Sequence, residues 1–264
     1  MLNWLCPILA FNSEGHRWLT SLALSYAISR FVPVASTFVL KRLGYFATGF
    51  ETTASQTEVS RLFERVPGMV VFEDFHIGNL PKVGSCFDPN GQVRHYMRSL
   101  PTTTPQQAHE ASRKYIWHYL YHCWRSMHSA VTAEENTIWQ QMTSLSYPDF
   151  MSGVGDLATA LHTIEDSYAP GHVTREVGVC TMRCIHAWDD DNKTAHGDWK
   201  GHAAYDDPWH NEISAYFFYK GRDAAGELIL TIFENLDKDH AQYVASCTPK
   251  FQRYFYLDLS PSCK

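Results

Sequence analysis

The residues from Leu161 to Glu176, LHTIEDSYAPGHVTRE, carry His162, Asp166 and His172 at intervals of four and six. On a helix, positions four apart share a face. His162 and Asp166 can therefore present an imidazole and a carboxylate to one ion, or to two neighbouring ions. Pro170 and Gly171 then end the helix, and His172 turns back towards that face from the following segment. Imidazole and carboxylate suit Zn²⁺, and a ligand from outside the helix permits tetrahedral geometry. Taken alone, a His-x-x-x-Asp pair is a common coincidence of helical sequences. The metal reading needs further donors.

Such donors occur on both sides. FNSEGHRW places His16 near the start of a first helix, FEDFHIGNLP offers Glu73, Asp74 and His76, and RHYMRS offers His95. Downstream, KGHAAYDDPWHNE contains His202 and Asp206, again four apart. His186 with Asp190 has the same spacing, and His196 lies near Asp198, so both compete for that role. His118 and His122 are also four apart, but within an aromatic stripe that brings no carboxylate with it. They read as core or surface histidines of a helix. Trp209, Phe75 and Tyr168 would suit a cleft wall, yet aromatics at helical spacing read first as core.

The elements that must position these groups are mostly helices. Residues 14–31 repeat apolar positions at helical spacing, with Asn12 or Ser13 as cap. Further helices are expected over 55–64, over 102–131 behind its threonine caps and Pro105, over 132–145, and over 150–168 after a Tyr147-Pro148-Asp149 turn. Residues 183–207 read as loop, 207–236 as one or two more helices, and GMVVF at 68–72 as the best short strand candidate. No internal repeat, low-complexity tract or linker divides the chain. The expectation is a single, compact, multi-helix all-α domain over residues 11–264.

The chain has 264 residues, 45% of them apolar and 14% aromatic, enough for a sizeable core without small-protein staples. Its formal charge is −6, and no Lys/Arg block exceeds two residues, which argues against an electrostatic grip on duplex nucleic acid. Histidine, at 14 residues, exceeds what packing needs. Leu2–Ala10 is an apolar run too short to span a bilayer, and no other run is long enough. It ends in Ile-Leu-Ala, like a signal-peptidase site, without a basic start, and reads as a signal-peptide remnant. Seven cysteines fall to six once Cys6 is removed, an even number suited to disulfides in a secreted or lumenal protein. No pairing is assigned, and no CxxC pair supports a thiolate zinc site. Asn192-Lys193-Thr194 is a candidate glycosylation sequon.

His162/Asp166/His172 followed by His202/Asp206 resembles the signature of the zinc-dependent phospholipase C group, whose relatives include fungal nucleases that prefer single strands. EDSYAPGH is closer to the phospholipase branch, with its Asp-Ser-aromatic-small-Pro-small-His run. The resemblance spans about residues 11–210 and is most specific over 162–172. It implies an all-α domain holding a trinuclear Zn²⁺ cluster at the base of a cleft. It also implies that cleavage after Ala10 makes Phe11 the first residue, a ligand through its amino nitrogen and carbonyl, five residues before His16. The nuclease relatives carry Trp at that spacing. Asp74 and His95 would match an early Asp and a later His, with His76 spare. The phospholipase branch often places that His directly before a Phe-Tyr-Asp-Pro run, whereas this chain has Ser85 and Cys86 there. The implied metal ligands are thus Phe11, His16, Asp74, His95, His162, Asp166, His172, His202 and Asp206.

The reaction so implied is in-line hydrolysis of a phosphodiester. Bound Zn²⁺ lowers the pKa of its water from about 15.7 towards roughly 7. Asp74 would serve as ligand and water-orienting base, and Asp166 as a bridge between ions. The favoured expectation is a phospholipase C that meets phosphatidylcholine-like lipid at a membrane or micelle surface and releases diacylglycerol and a phosphorylated head group. The alternatives are a secreted single-strand nuclease of the same architecture and a zinc-binding domain without turnover.

Overall fold

Ser36, Ser55, Thr104, Asn211 and Asp239 each accept, through the side chain, a hydrogen bond from the backbone N–H three residues on. Each thereby satisfies a donor that the first turn of a helix leaves unpaired. A computed structural model of the chain describes residues 13–74, 92–98, 103–133, 146–186, 211–260 and 263. Among these, the helices are α1 (Ser13–Phe31), α2 (Thr37–Thr48), α3 (Gln56–Leu62), α4 (Val66–Asp74), α5 (Pro105–Thr132), α6 (Ser146–Asp166), α7 (Glu212–Glu234) and α8 (His240–Tyr254). One two-stranded hairpin, β1 (Val173–Arg175) and β2 (Met182–Ile185), interrupts them between α6 and α7. The fold is all-α and compact, as the helical periodicity predicts. No helix of the described residues is long and apolar enough to cross a membrane.

The packing brings three helices to one place. Helix α5 lies along α6, α1 along α7, and α4 against both α1 and α6. Leu19 meets Gly221, Tyr26 meets Gly226 and Phe31 meets Phe233, so α1 and α7 run parallel and share their N-terminal end. Phe63 sits between Phe150 and Phe233, with ring centroids 5.9 and 4.9 Å away, and closes the core at the opposite end of α6.

Several local expectations change. Residues 68–72 are helical, inside α4, because Val66 and Val70 at helical spacing are both fully buried against α1 and α6. A short apolar run cannot be assigned by periodicity alone, and here no strand pairs with it. Tyr147-Pro148-Asp149 is the first turn of α6, where proline's missing N–H has no intrahelical partner to lose. Residues 183–185 belong to β2 and not to a loop. Helices α2 and α8 were not foreseen. Of the helix expected over 132–145, residues 134–145 lie outside the described residues.

The hairpin is fastened on two sides. Arg175, buried, donates from Nε to the Ser167 carbonyl (2.8 Å) and from Nη1 to those of Cys180 (2.6 Å) and Tyr254 (3.2 Å). Its guanidinium lies 3.8 Å over the Tyr168 ring. Cys184 is disulfide-bonded to Cys263, which ties β2 to the C-terminal segment. Cys123, Cys180 and Cys247 are free thiols, and burial pushes the Cys123 and Cys247 thiols up.

Gly153 lies where α6 packs tightly against α5. A Cβ there would stand 2.8 Å from Met127 Cγ and 2.9 Å from the Cys123 carbonyl oxygen. Alanine's better helix propensity, about 1 kcal/mol, is therefore outweighed by overpacking of about 1–3 kcal/mol. Gly153→Ala is expected to lower the urea midpoint, whereas the same change at Gly68, with open space around it, raises or preserves it.

Candidate metal centre

Helix α6 ends where the sequence breaks it. Tyr168 N–H bonds to the Glu165 carbonyl, Ala169 N–H to that of Asp166, and His172 and Val173 N–H to that of Ala169. These tightening turns carry His172 back over the last turn of α6. His162 and Asp166 project from that turn, His16 comes from the start of α1, and His95 comes from the short turn at 92–98. All five are buried, and Asp166 and His16 are at 0% exposure.

Helix α5 anchors the His95 turn. Tyr96 Oη bonds His109 Nδ1 at 2.8 Å, and Ser112 Oγ donates to the Val93 carbonyl at 3.0 Å. Arg98 N–H bonds the His186 carbonyl, linking the turn to the hairpin. Burial, and then the charges of Arg113 and Arg175, push the His109 pKa down to about 4, so its ring is neutral at pH 7.

Asp166 is the hub. Its Oδ1 lies 3.3 Å from His16 Nε2. Its Oδ2 lies 2.9 Å from His95 Nδ1, 3.2 Å from His162 Nε2 and 3.8 Å from His172 Nδ1. His95 Nδ1 and His162 Nε2 are themselves 3.2 Å apart, so with Oδ2 they form a triangle of edges 2.9, 3.2 and 3.2 Å. Protons alone cannot satisfy all three edges. If both nitrogens donate to Oδ2, two N–H groups face each other; if one does not, its lone pair faces the carboxylate. A cation held by all three satisfies them together. Donors about 2.0–2.1 Å from a tetrahedral zinc are roughly 3.3 Å apart, close to these edges. His16, His162 and Asp166 likewise bring donor atoms within 4.8 Å of one another. His95 Nε2 is buried without a hydrogen bond among the described residues.

The imidazoles are oriented from behind. His16 Nδ1 faces Glu165 Oε2 at 2.5 Å, and Thr20 Oγ1 donates to Glu165 Oε1 at 2.5 Å. His172 Nδ1 donates to the His95 carbonyl at 2.5 Å, which leaves the lone pair on Nε2. Ligating histidines characteristically give their second N–H to a carboxylate or carbonyl in this way. Burial pulls the His16 pKa down, but the hydrogen bonds and charges of Asp166 and Glu165 outweigh it and hold the ring well above the usual imidazole value. Burial likewise pushes Asp166 up, and the charges of His162 and His172 with hydrogen bonds from His16 and His162 hold it well below the carboxylate range. Glu165, with fewer partners, is raised by its burial.

Of the residues expected to bind metal, His16, His95, His162, Asp166 and His172 meet here. Asp74 is the last residue of α4, and its side chain lies outside the described residues. Phe11, His76, His202, Asp206, Asp190, His196 and Asp198 lie outside them too. His186 is turned to Thr174 Oγ1, 2.8 Å from its Nε2. The His118 and His122 rings lie 4.3 Å apart, tilted by 45°, and α6 supplies the carboxylate that the sequence around them lacks. It is Asp156, raised by burial and lowered by both imidazoles. Glu165 and Thr20 were missed. Their signals were local: a second carboxylate directly before Asp166, and a hydroxyl one helical turn after His16.

Compared with models of known protein families, with curated proteins and with solved structures, the chain matches none of them.

The depressed His109 pKa has a definite sign. A folded value of about 4 against about 6.5 unfolded gives stability that is present above pH 6.5 and lost as pH falls towards 4. The loss is expected to reach about 3 kcal/mol. Urea unfolding of His109→Gln should show a smaller stability drop between pH 7 and 4.5 than the parent chain.

Proposed function

We propose that the protein is a zinc-dependent phosphodiester hydrolase of the phospholipase C type, secreted or lumenal, which cleaves phosphatidylcholine-like lipids to diacylglycerol and a phosphorylated head group. One observation carries this reading: four imidazoles converge on the buried carboxylate of the His-x-x-x-Asp-x-x-x-x-x-His run by which the chain resembles that group. The lipid substrate is favoured over a polynucleotide by the formal charge of −6 and the absence of a basic tract. The Cys184–Cys263 disulfide is compatible with an oxidising compartment.

In this reading His16, His95, His162, Asp166 and His172 hold the metal, with Phe11, Asp74, His202 and Asp206 completing a trinuclear set. When bound, zinc supplies Lewis-acid polarisation of the phosphoryl oxygens and acidification of water at neutral pH. The two oxygens of Asp166 face different imidazoles, which suits a carboxylate shared between ions. Glu165 holds the Nδ1 proton of His16, so that a neutral His16 offers Nε2 to the centre. Asp74 is the residue assigned to orient the attacking water.

Two measurements test this. Zinc content by mass spectrometry and diacylglycerol release from phosphatidylcholine micelles should both be positive, and Asp166→Asn should cost on the order of 10²–10³ in rate together with bound zinc. Cleavage of single-stranded DNA without lipid hydrolysis would transfer the reading to the nuclease branch. Zinc without turnover of either substrate would leave a metal-binding domain, and no zinc would remove the proposal. The raised His16 pKa means that the metal-free protein carries a proton there at pH 7, which a ligand imidazole must lose. Zinc binding is therefore expected to release protons at pH 7, and fewer in His16→Asn. Titration calorimetry in two buffers of different ionisation enthalpy measures this.

A further inference from the structure

The residues that close the β1–β2 hairpin are Val177, Gly178 and Val179, and the two valines are 60% and 66% exposed. Hairpin tips ordinarily carry Gly, Asn, Asp or Ser, because their backbone meets water. This tip is not a loose loop. Gly178, at φ 98°, donates its N–H to Tyr216 Oη on α7 at 2.9 Å. Cys180, in the left-handed region at φ 59°, has its carbonyl held by Arg175. Glu176 and Cys180 close the turn through backbone hydrogen bonds, and the disulfide anchors β2. The fold thus spends several fixed contacts on holding two aliphatic side chains out in water.

Tyr216 joins the tip to the exposed face of α7. Ile213, 57% exposed, lies one turn before it, and Tyr219, 43% exposed, one turn after. The Lys220 ammonium stands 5.5 Å from the Tyr216 ring centre, and the Arg222 guanidinium 5.2 Å from that of Tyr219. Exposed aliphatic side chains at the tip, phenols on α7 and the Lys220 ammonium, with Arg222 paired to Asp223 at 2.6 Å, are the group types that a phospholipid interface takes up. Its acyl chains, carbonyl-level belt and phosphates take aliphatic, phenolic and cationic groups respectively. A stable protein partner would need about 800 Å² and about 20–30 residues from each side, whereas the large apolar side chains exposed here are Val177, Val179, Ile213 and Tyr219. The position fits as well. β1 begins at the residue after His172, so the tip at Val177 stands five residues, about 16 Å of extended chain, from that histidine.

We propose that the Val177–Val179 tip and the Ile213/Tyr216/Tyr219 face of α7 seat the protein on a phospholipid bilayer. This rests on the lipid reading above for its purpose, but its test does not depend on turnover. The metal-free protein is mixed with dioleoylphosphatidylcholine vesicles, and the bound fraction is read by flotation. The parent chain should bind. Val177→Asp/Val179→Asp should bind at least about ten-fold less, each valine being worth roughly a factor of ten in transfer from water. Ile213→Asp, on a separate element, should weaken binding in the same direction. Phe50→Asp, at an apolar side chain 71% exposed after α2, should leave it unchanged. All of these positions are exposed, and matched thermal melts are the check that the variants fold. With zinc restored, the tip variant should lose hydrolysis of vesicles and keep both its zinc and its hydrolysis of monomeric short-chain phosphatidylcholine.

Vesicle binding that survives the tip and Ile213 changes overturns the surface, as does a parent chain that floats with no vesicles. Self-association abolished by the same tip variant would assign the patch to a second copy of the chain and also overturn it. Binding that behaves as expected, with no lipid hydrolysed in any form, would uphold the surface while removing the phospholipase reading.

Discussion

An ionised carboxylate at 0% exposure is the constraint around which this fold is arranged. Taking such a charge out of water costs several kcal/mol unless partners replace the solvent. Asp166 receives them from three separate stretches of chain, the start of α1, the 92–98 turn and its own helix one turn back, while His172 stands 3.8 Å away and gives its Nδ1–H to the His95 carbonyl. None of the three can move without leaving the carboxylate short of a partner. The parallel alignment of α1 with α7 and the anchoring of the His95 turn on α5 serve that requirement, and the return of the chain at Pro170-Gly171 brings His172 to the His95 turn. The triangle of His95, His162 and Asp166 goes further, since its three short edges exceed what the available protons can satisfy.

Glu165 adds a second buried carboxylate directly beside the first. It would be costly anywhere else, yet here it takes the far side of His16 and the hydroxyl of Thr20. One residue of helix rotates the side chain by about 100°, enough to place Asp166 in the centre and Glu165 behind it, towards α1. A dipeptide thus supplies both a group that faces the site and a group that orients its neighbour. Arg175 works similarly for the hairpin, gathering the carbonyls of Ser167, Cys180 and Tyr254 around one guanidinium. The end of α6 and the hairpin are therefore joined through one guanidinium.

The sites where the sequence pattern misassigned structure each have a local cause. Residues 68–72 are uniformly apolar, so they carry no phase from which helix and strand can be told apart. Burial between α1 and α6 decided for helix. At Tyr147-Pro148-Asp149, proline read as a turn, although the first turn of a helix accommodates it equally well. Residues 183–185 head the polar stretch 183–207 and so read as loop, and become a strand because β1 offers a ladder and Cys184 is tied to Cys263.

The chain's own residues determined the all-α class, the caps that begin its helices, and the His162/Asp166/His172 run with its break at Ala-Pro-Gly. Each depends on neighbours within a few positions, where spacing and backbone preference suffice. The sequence also nominated His16 and His95, through resemblance and composition. Only the tertiary structure decided that these two face opposite oxygens of Asp166, that Glu165 and Thr20 stand behind His16, and that Val177 and Val179 are held out in water. Such relations join residues separated by as many as 149 positions. They are set by how helices pack around a buried charge, which no local pattern encodes.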